Sequence, residues 1–110
     1  MSKYFQWLII VIFLGYGVAW SPAVALAQGQ GIYNDKCASC HGQDGSGNGP
    51  LGSVFSPPPA NFTNPGFWQG QVKQKITSTI ENGHGPMPAV PLSSSQIQTV
   101  INYMQQTFKP

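Results

Sequence analysis

Cys37-Ala38-Ser39-Cys40-His41 is the stretch on which the reading of this chain turns. Thiols at positions i and i+3 fall on one side of a helical turn, and a histidine directly follows the second. Such a pair can add to the two vinyl groups of one haem while the histidine faces the iron, the Cys-x-x-Cys-His arrangement of haem c attachment. Two other chemistries use paired cysteines. A thiol–disulfide redox pair normally follows a strand in a βαβ unit, and this chain offers no alternating strand pattern and little length for one. A structural zinc site would draw on Cys37, Cys40, His41 and His84, but the two histidines lack the close spacing of zinc fingers.

Outward from this motif, the length bounds the answer to one small domain. The 110 residues begin with Lys3, then an apolar run from Trp7 to Ala19, then the small residues of Ala25-Leu26-Ala27. These features predict an export signal over residues 1–27, cleaved after Ala27, and a functional domain over 28–110. The segment from Tyr4 to Trp20 is slightly short of the roughly 20 residues that span a bilayer, so an uncleaved anchor is the other reading. A domain this small buries little core and needs a staple. Cys37 and Cys40 lie too close together to staple distant segments, whereas a large apolar cofactor would serve. Beyond Ala27 four lysines face three acids, and no arginine occurs anywhere, which removes the basic surface of a nucleic-acid binder.

Three regions follow the leader. From about Gln28 to His41 the sequence has moderate helical character. Gly42 to Gly66 holds six glycines and five prolines, a density that breaks helices and strands and predicts a long irregular loop. Loops of that length in a compact domain are usually functional or disordered, and wrapping a cofactor is one functional use. The third region carries two amphipathic helices. Trp68, Val72, Ile76 and Ile80 recur every four positions up to a stop at Gly83, and Ile97, Val100, Ile101, Met104 and Phe108 follow the helical pattern from a Ser93/Gln96 capping box. The domain is therefore mainly α.

A haem iron that moves electrons without binding substrate needs a second axial ligand. Met87 is the candidate, in the Gly83-His84-Gly85-Pro86-Met87-Pro88 loop whose glycines and prolines hold irregular geometry between two helices. Its thioether favours ferrous iron and raises the potential relative to two histidines. His84, three residues away, is the alternative ligand, while Met104 lies in the apolar stripe of the last helix and reads as core.

With these residues assembled, the chain resembles the class I c-type cytochromes, specifically small monohaem bacterial members. Gly29 and Tyr33 stand where that family places a small residue and an aromatic on its first helix, and Val100 and Tyr103 resemble the matching pair on the last. The resemblance implies a cytochrome c-like fold of about three helices, with a long Gly/Pro-rich loop wrapping one covalent haem c. It implies close crossing of the first and last helices. It also implies a proline carbonyl as hydrogen-bond acceptor for His41, with Pro50 of Gly47-Asn48-Gly49-Pro50 as the candidate and Pro57 as the alternative. Trp68 would pack beside the haem and offer its indole N–H to a propionate. Pro59-Ala60-Asn61-Phe62-Thr63 resembles a related family pattern, with Asn61 where an acidic residue is common.

The expected function is outer-sphere electron transfer through a haem iron ligated by His41 and Met87, with no catalytic residue and no organic substrate. Expected partners are a redox protein donor and acceptor, membrane-bound complexes included, met by a monomer or in transient complexes. The expected location is the periplasm or an equivalent lumen. A haem-based gas sensor and a thiol oxidoreductase using Cys37 and Cys40 are the rival functions.

Overall fold

The structure, a computed structural model, describes residues 21–110. The apolar run from Tyr4 to Trp20, on which the export and anchor readings rest, lies outside the described residues. No helix among the described residues is long and apolar enough to cross a membrane.

The first helix, α1 (Pro22–Lys36), starts earlier than the sequence pattern suggests. Ser21 caps it, its hydroxyl accepting from the Val24 N–H at 3.4 Å, and Pro22 occupies the first turn, where its missing N–H costs nothing. Its early turns carry no apolar stripe; only Gly29 and Tyr33 are buried along the whole element. At Cys37 the backbone leaves helical geometry (φ −122°, ψ −37°), and a single further turn, α2 (Ala38–His41), carries the rest of the cysteine motif. The loop that follows is irregular apart from two short 3-10 turns, Gly52–Val54 and Pro65–Trp68.

The two C-terminal helices are α3 (Val72–Asn82) and α4 (Ser94–Phe108). Trp68 does not begin α3, as the four-residue periodicity suggests; it closes the second 3-10 turn, capped by Asn64, and Gly70 intervenes before the helix. Its side chain nonetheless points to the same core as Ile76 and Ile80. The capping box of α4 is present in full: the Gln96 N–H donates to Ser93 Oγ at 3.2 Å and the Ser93 N–H to Gln96 Oε1 at 2.9 Å.

The core forms where α1 crosses α4, the most extensive contact between elements. A Cβ placed on Gly29 would lie 2.6 Å from Tyr103 Cβ and 2.7 Å from the Thr99 carbonyl oxygen, so only a glycine permits this approach. One turn on, Tyr33 is fully buried among the rings of Phe62, Tyr103 and Phe108. Ile97, Val100, Ile101, Met104 and Phe108 are all buried on the α4 face the sequence pattern assigns to the core. The result is a mainly helical, cytochrome c-like fold.

The Tyr33 hydroxyl donates to the Gly42 carbonyl at 2.7 Å, tying α1 to the residue just past His41. Burial raises its pKa well above the ordinary tyrosine value, so it stays a donor at any physiological pH. Tyr33→Phe leaves that carbonyl without its partner and is expected to lower stability by about 1–2 kcal/mol, read as a reduced urea midpoint at unchanged m-value.

Candidate haem-attachment site

Cys37 joins α1 to α2. Its N–H donates to the Tyr33 carbonyl at 2.9 Å, and its own carbonyl accepts from the Cys40 and His41 N–H groups at 3.2 and 2.9 Å. Cys37, Cys40 and His41 thus share one turn, with both thiols unpaired and half-buried. A four-residue helix is unstable by itself, because most of its polar backbone groups lack internal partners. Here the following loop supplies them: N–H groups of Gly42, Gly47, Gly49 and Leu51 donate to the carbonyls of Ala38, His41, Cys40 and Ser39, at 2.8, 2.7, 3.1 and 2.8 Å. Gly49 makes this possible, since a Cβ there would meet the Ser39 and Ala38 carbonyl oxygens at 2.5 and 2.7 Å.

His41 is half-buried, and its ring stacks on Phe62 with centroids 4.5 Å apart and planes 22° apart. Its Nδ1 lies 3.2 Å from the Ala60 carbonyl oxygen. Burial pushes its pKa below the ordinary histidine value, and the Ala60 bond only partly offsets that. A neutral ring that donates Nδ1–H to a carbonyl keeps the Nε2 lone pair free for a metal.

The acceptor is therefore Ala60, not Pro50 or Pro57. Pro50 is exposed and lines a shallow polar depression with Asn34, Ser39, Asp44 and Asn48, because the Gly49 approach carries the chain over the Ser39 side of the turn. The expectation for Trp68 also changes: its buried indole donates Nε1–H to the Phe62 carbonyl at 2.7 Å, which leaves no N–H for a propionate. Asn61, whose role the sequence leaves open, accepts through Oδ1 from the Thr63 N–H at 2.9 Å and from the Thr63 hydroxyl at 2.5 Å. Ala60, Phe62 and Gly49 escape sequence reasoning as site residues. The only signal for them is their place in the Pro59–Thr63 and Gly47–Pro50 segments.

Met87 is half-buried and His84 exposed. The two residues close a tight turn by exchanging backbone bonds, His84 N–H to the Met87 carbonyl and Met87 N–H to the His84 carbonyl, both at 2.9 Å. The Val90 N–H then donates to the Ile80 carbonyl at 2.8 Å and ties the chain back to α3.

This donor set fits a haem c: two unpaired thiols on one turn, a neutral imidazole anchored through Nδ1, and the apolar ring of Phe62 stacked on that imidazole. It does not fit the two other chemistries of paired cysteines. Among the described residues no group of three or more His, Cys, Asp or Glu side chains is placed to hold a metal ion, as zinc would require. A redox thiol needs a depressed pKa, whereas burial and the neighbouring Cys40 push Cys37 up to about 11. In chain produced without haem, Cys37 is therefore expected to react slowly with iodoacetamide at pH 7, at a rate that climbs about tenfold per pH unit as thiolate forms. Mass-resolved labelling of the Cys37 peptide reads this directly.

The comparisons with known proteins agree with the geometry. A family model described as cytochrome c oxidase, cbb3-type, subunit III, matches residues 24–104. Among curated proteins, the cbb3-type cytochrome c oxidase subunit FixP of Azorhizobium caulinodans is 41% identical over 75 residues, 66% of this chain and 23% of that protein. The cbb3-type cytochrome c oxidase subunit CcoP of Azospirillum brasilense is 35% identical over 70 residues, 63% of this chain and 23% of its own length. The chain thus matches less than a quarter of the length of each of these relatives. On the family match, which spans most of the sequence and covers the larger part of both helices of the core crossing, the chain belongs to the cbb3-type subunit III family of class I c-type cytochromes.

Proposed function

We propose that this chain is a monohaem electron carrier whose haem c is attached through Cys37 and Cys40 and whose iron is ligated by His41 and Met87. The observation that carries the proposal is the turn itself: two unpaired thiols beside a neutral histidine whose Nδ1 is engaged by Ala60 and whose Nε2 is free. When bound, the haem supplies a one-electron ferric–ferrous couple. The two thiols hold the macrocycle covalently, and the loop-bonded turn fixes them relative to His41. Met87, presented by a turn closed through main-chain bonds, gives the soft sixth ligand that favours the ferrous form. One haem is proposed because the sequence contains two cysteines, both within this motif.

The relatives' names describe oxidase subunits, and a membrane-bound redox complex is accordingly the class of partner proposed, met through a small transient contact. Residues 1–27 are proposed to direct export, with the domain over 28–110 working in the periplasm or an equivalent lumen. Among the described residues, Pro22 to Gln28 are exposed and Gly29 is the first to be buried, so of these residues cleavage after Ala27 would remove none that the core buries.

The test is the visible spectrum of the protein expressed with export and haem-attachment machinery, paired with the intact mass of the mature chain. A c-type reduced spectrum with a far-red sulfur-to-iron band supports attachment and methionine ligation, and the mass reports the haem number and the cleavage point. A chain correctly exported and matured yet free of haem would refute the proposal.

A further inference from the structure

Bonds converge on the segment Ala60-Asn61-Phe62 from four directions. The Ala60 carbonyl faces His41 Nδ1 at 3.2 Å and the Phe62 ring stacks on the His41 ring. The Phe62 N–H donates to the Gly45 carbonyl at 2.7 Å, and the Phe62 carbonyl accepts the Trp68 indole N–H at 2.7 Å. Between them, Asn61 Oδ1 closes an Asx turn onto both the N–H and the hydroxyl of Thr63. Ala60 is exposed and has no side chain with which to anchor its own peptide, so the aim of its carbonyl depends on these neighbours.

A histidine ring that must present one nitrogen in a fixed direction has two rotations to lose. Stacking on Phe62 fixes the plane of the ring, and the Nδ1 bond to Ala60 fixes its orientation within that plane. Together they set where Nε2 points. The Nδ1 bond also sets how electron-rich Nε2 is, because a carbonyl that draws on the Nδ1 proton raises the basicity of the opposite nitrogen. A more basic axial imidazole stabilises ferric iron and lowers the reduction potential.

We propose that Asn61, Phe62 and Trp68 are positioning residues for His41, acting through the Ala60 carbonyl and the stacked ring to set both the direction and the basicity of Nε2. The proposal rests on the haem reading above. Trp68 thereby serves the iron from the far side of Phe62. Asn61 serves it from an exposed position, where core packing gives it no other task.

The experiment uses the full, haem-loaded chain and compares wild type with Asn61→Ala, Trp68→Phe and Asn61→Asp. Two quantities are read: the reduction potential, and the solvent exchange rate of the His41 ring N–H proton in the ferrous protein by NMR. Asn61→Ala and Trp68→Phe are expected to raise the potential and to speed exchange about tenfold or more, as the Nδ1 bond loosens. Asn61→Asp, which keeps an accepting oxygen at the same place, is expected to return the exchange rate to the wild-type value. Because residue 61 is exposed, its variants keep the core intact and the comparison does not depend on Trp68→Phe folding well. Potential and exchange rate unmoved in Asn61→Ala, with haem attached, would overturn the positioning role whatever happens to the melting temperature. A wild-type chain that matures without haem overturns the haem reading and this proposal with it.

Discussion

Met87→Ala is expected to lower the reduction potential of the haem-loaded protein by on the order of 0.1 V or more, the scale on which axial ligands tune haem. It is also expected to let carbon monoxide bind the ferrous iron without a denaturing step. The substitution is a clean one. The turn that presents Met87 is closed by backbone bonds between His84 and Met87, and the next tether is the backbone bond from Val90 to Ile80, so removing the thioether leaves the loop in place. Redox titration and a carbon monoxide difference spectrum check both expectations. An unchanged potential removes Met87 from the iron, and the same measurement on His84→Ala then decides whether the neighbouring histidine holds the sixth position.

The second large effect concerns stability and has a built-in control. Gly29→Ala is expected to cost about 2–3 kcal/mol, because the new methyl would lie inside contact distance of Tyr103 Cβ and of a Thr99 backbone oxygen that cannot swing aside. For a domain of this size that corresponds to a fall in melting temperature of roughly 8–24 °C. Gly31→Ala, two residues along the same helix, meets nothing within 4 Å. There the substitution relieves the entropic cost of a helical glycine and is expected to add about 0.5–1 kcal/mol. The same chemical change thus has opposite signs at neighbouring positions, and paired thermal melts read it. Equal shifts at the two sites would mean that α1 and α4 do not cross at Gly29.

Much of this arrangement was legible in the residues. The apolar stripe of α4 and its Ser93/Gln96 box follow from side-chain periodicity and short-range capping. The pairing of Gly29 and Tyr33 with Val100 and Tyr103 came from family likeness, which reports long-range packing that periodicity cannot. The misses have separate physical causes. Every residue carries a carbonyl, so composition cannot say which one meets His41 Nδ1; Pro50 and Ala60 are distinguished only by the path the loop takes over the turn. Trp68 fits both a helix start and a 3-10 turn on apolar spacing, and Gly70 decided between them. The first turns of α1 bury nothing, so no hydrophobic pattern marked where that helix begins.

The crossing of α1 on α4 also orders events in time. Tyr33, and the turn anchored to it, gain their ring neighbours Tyr103 and Phe108 only when the last helix exists. A chain made from its N-terminus exposes Cys37 and Cys40 about 70 residues before α4 is complete, an interval of roughly 3.5–14 s at ordinary synthesis rates. During that interval both thiols belong to an unfolded, accessible polypeptide. Chemistry done on them then faces no packed core, and the closing of α4 seals in whatever state the cysteines have reached.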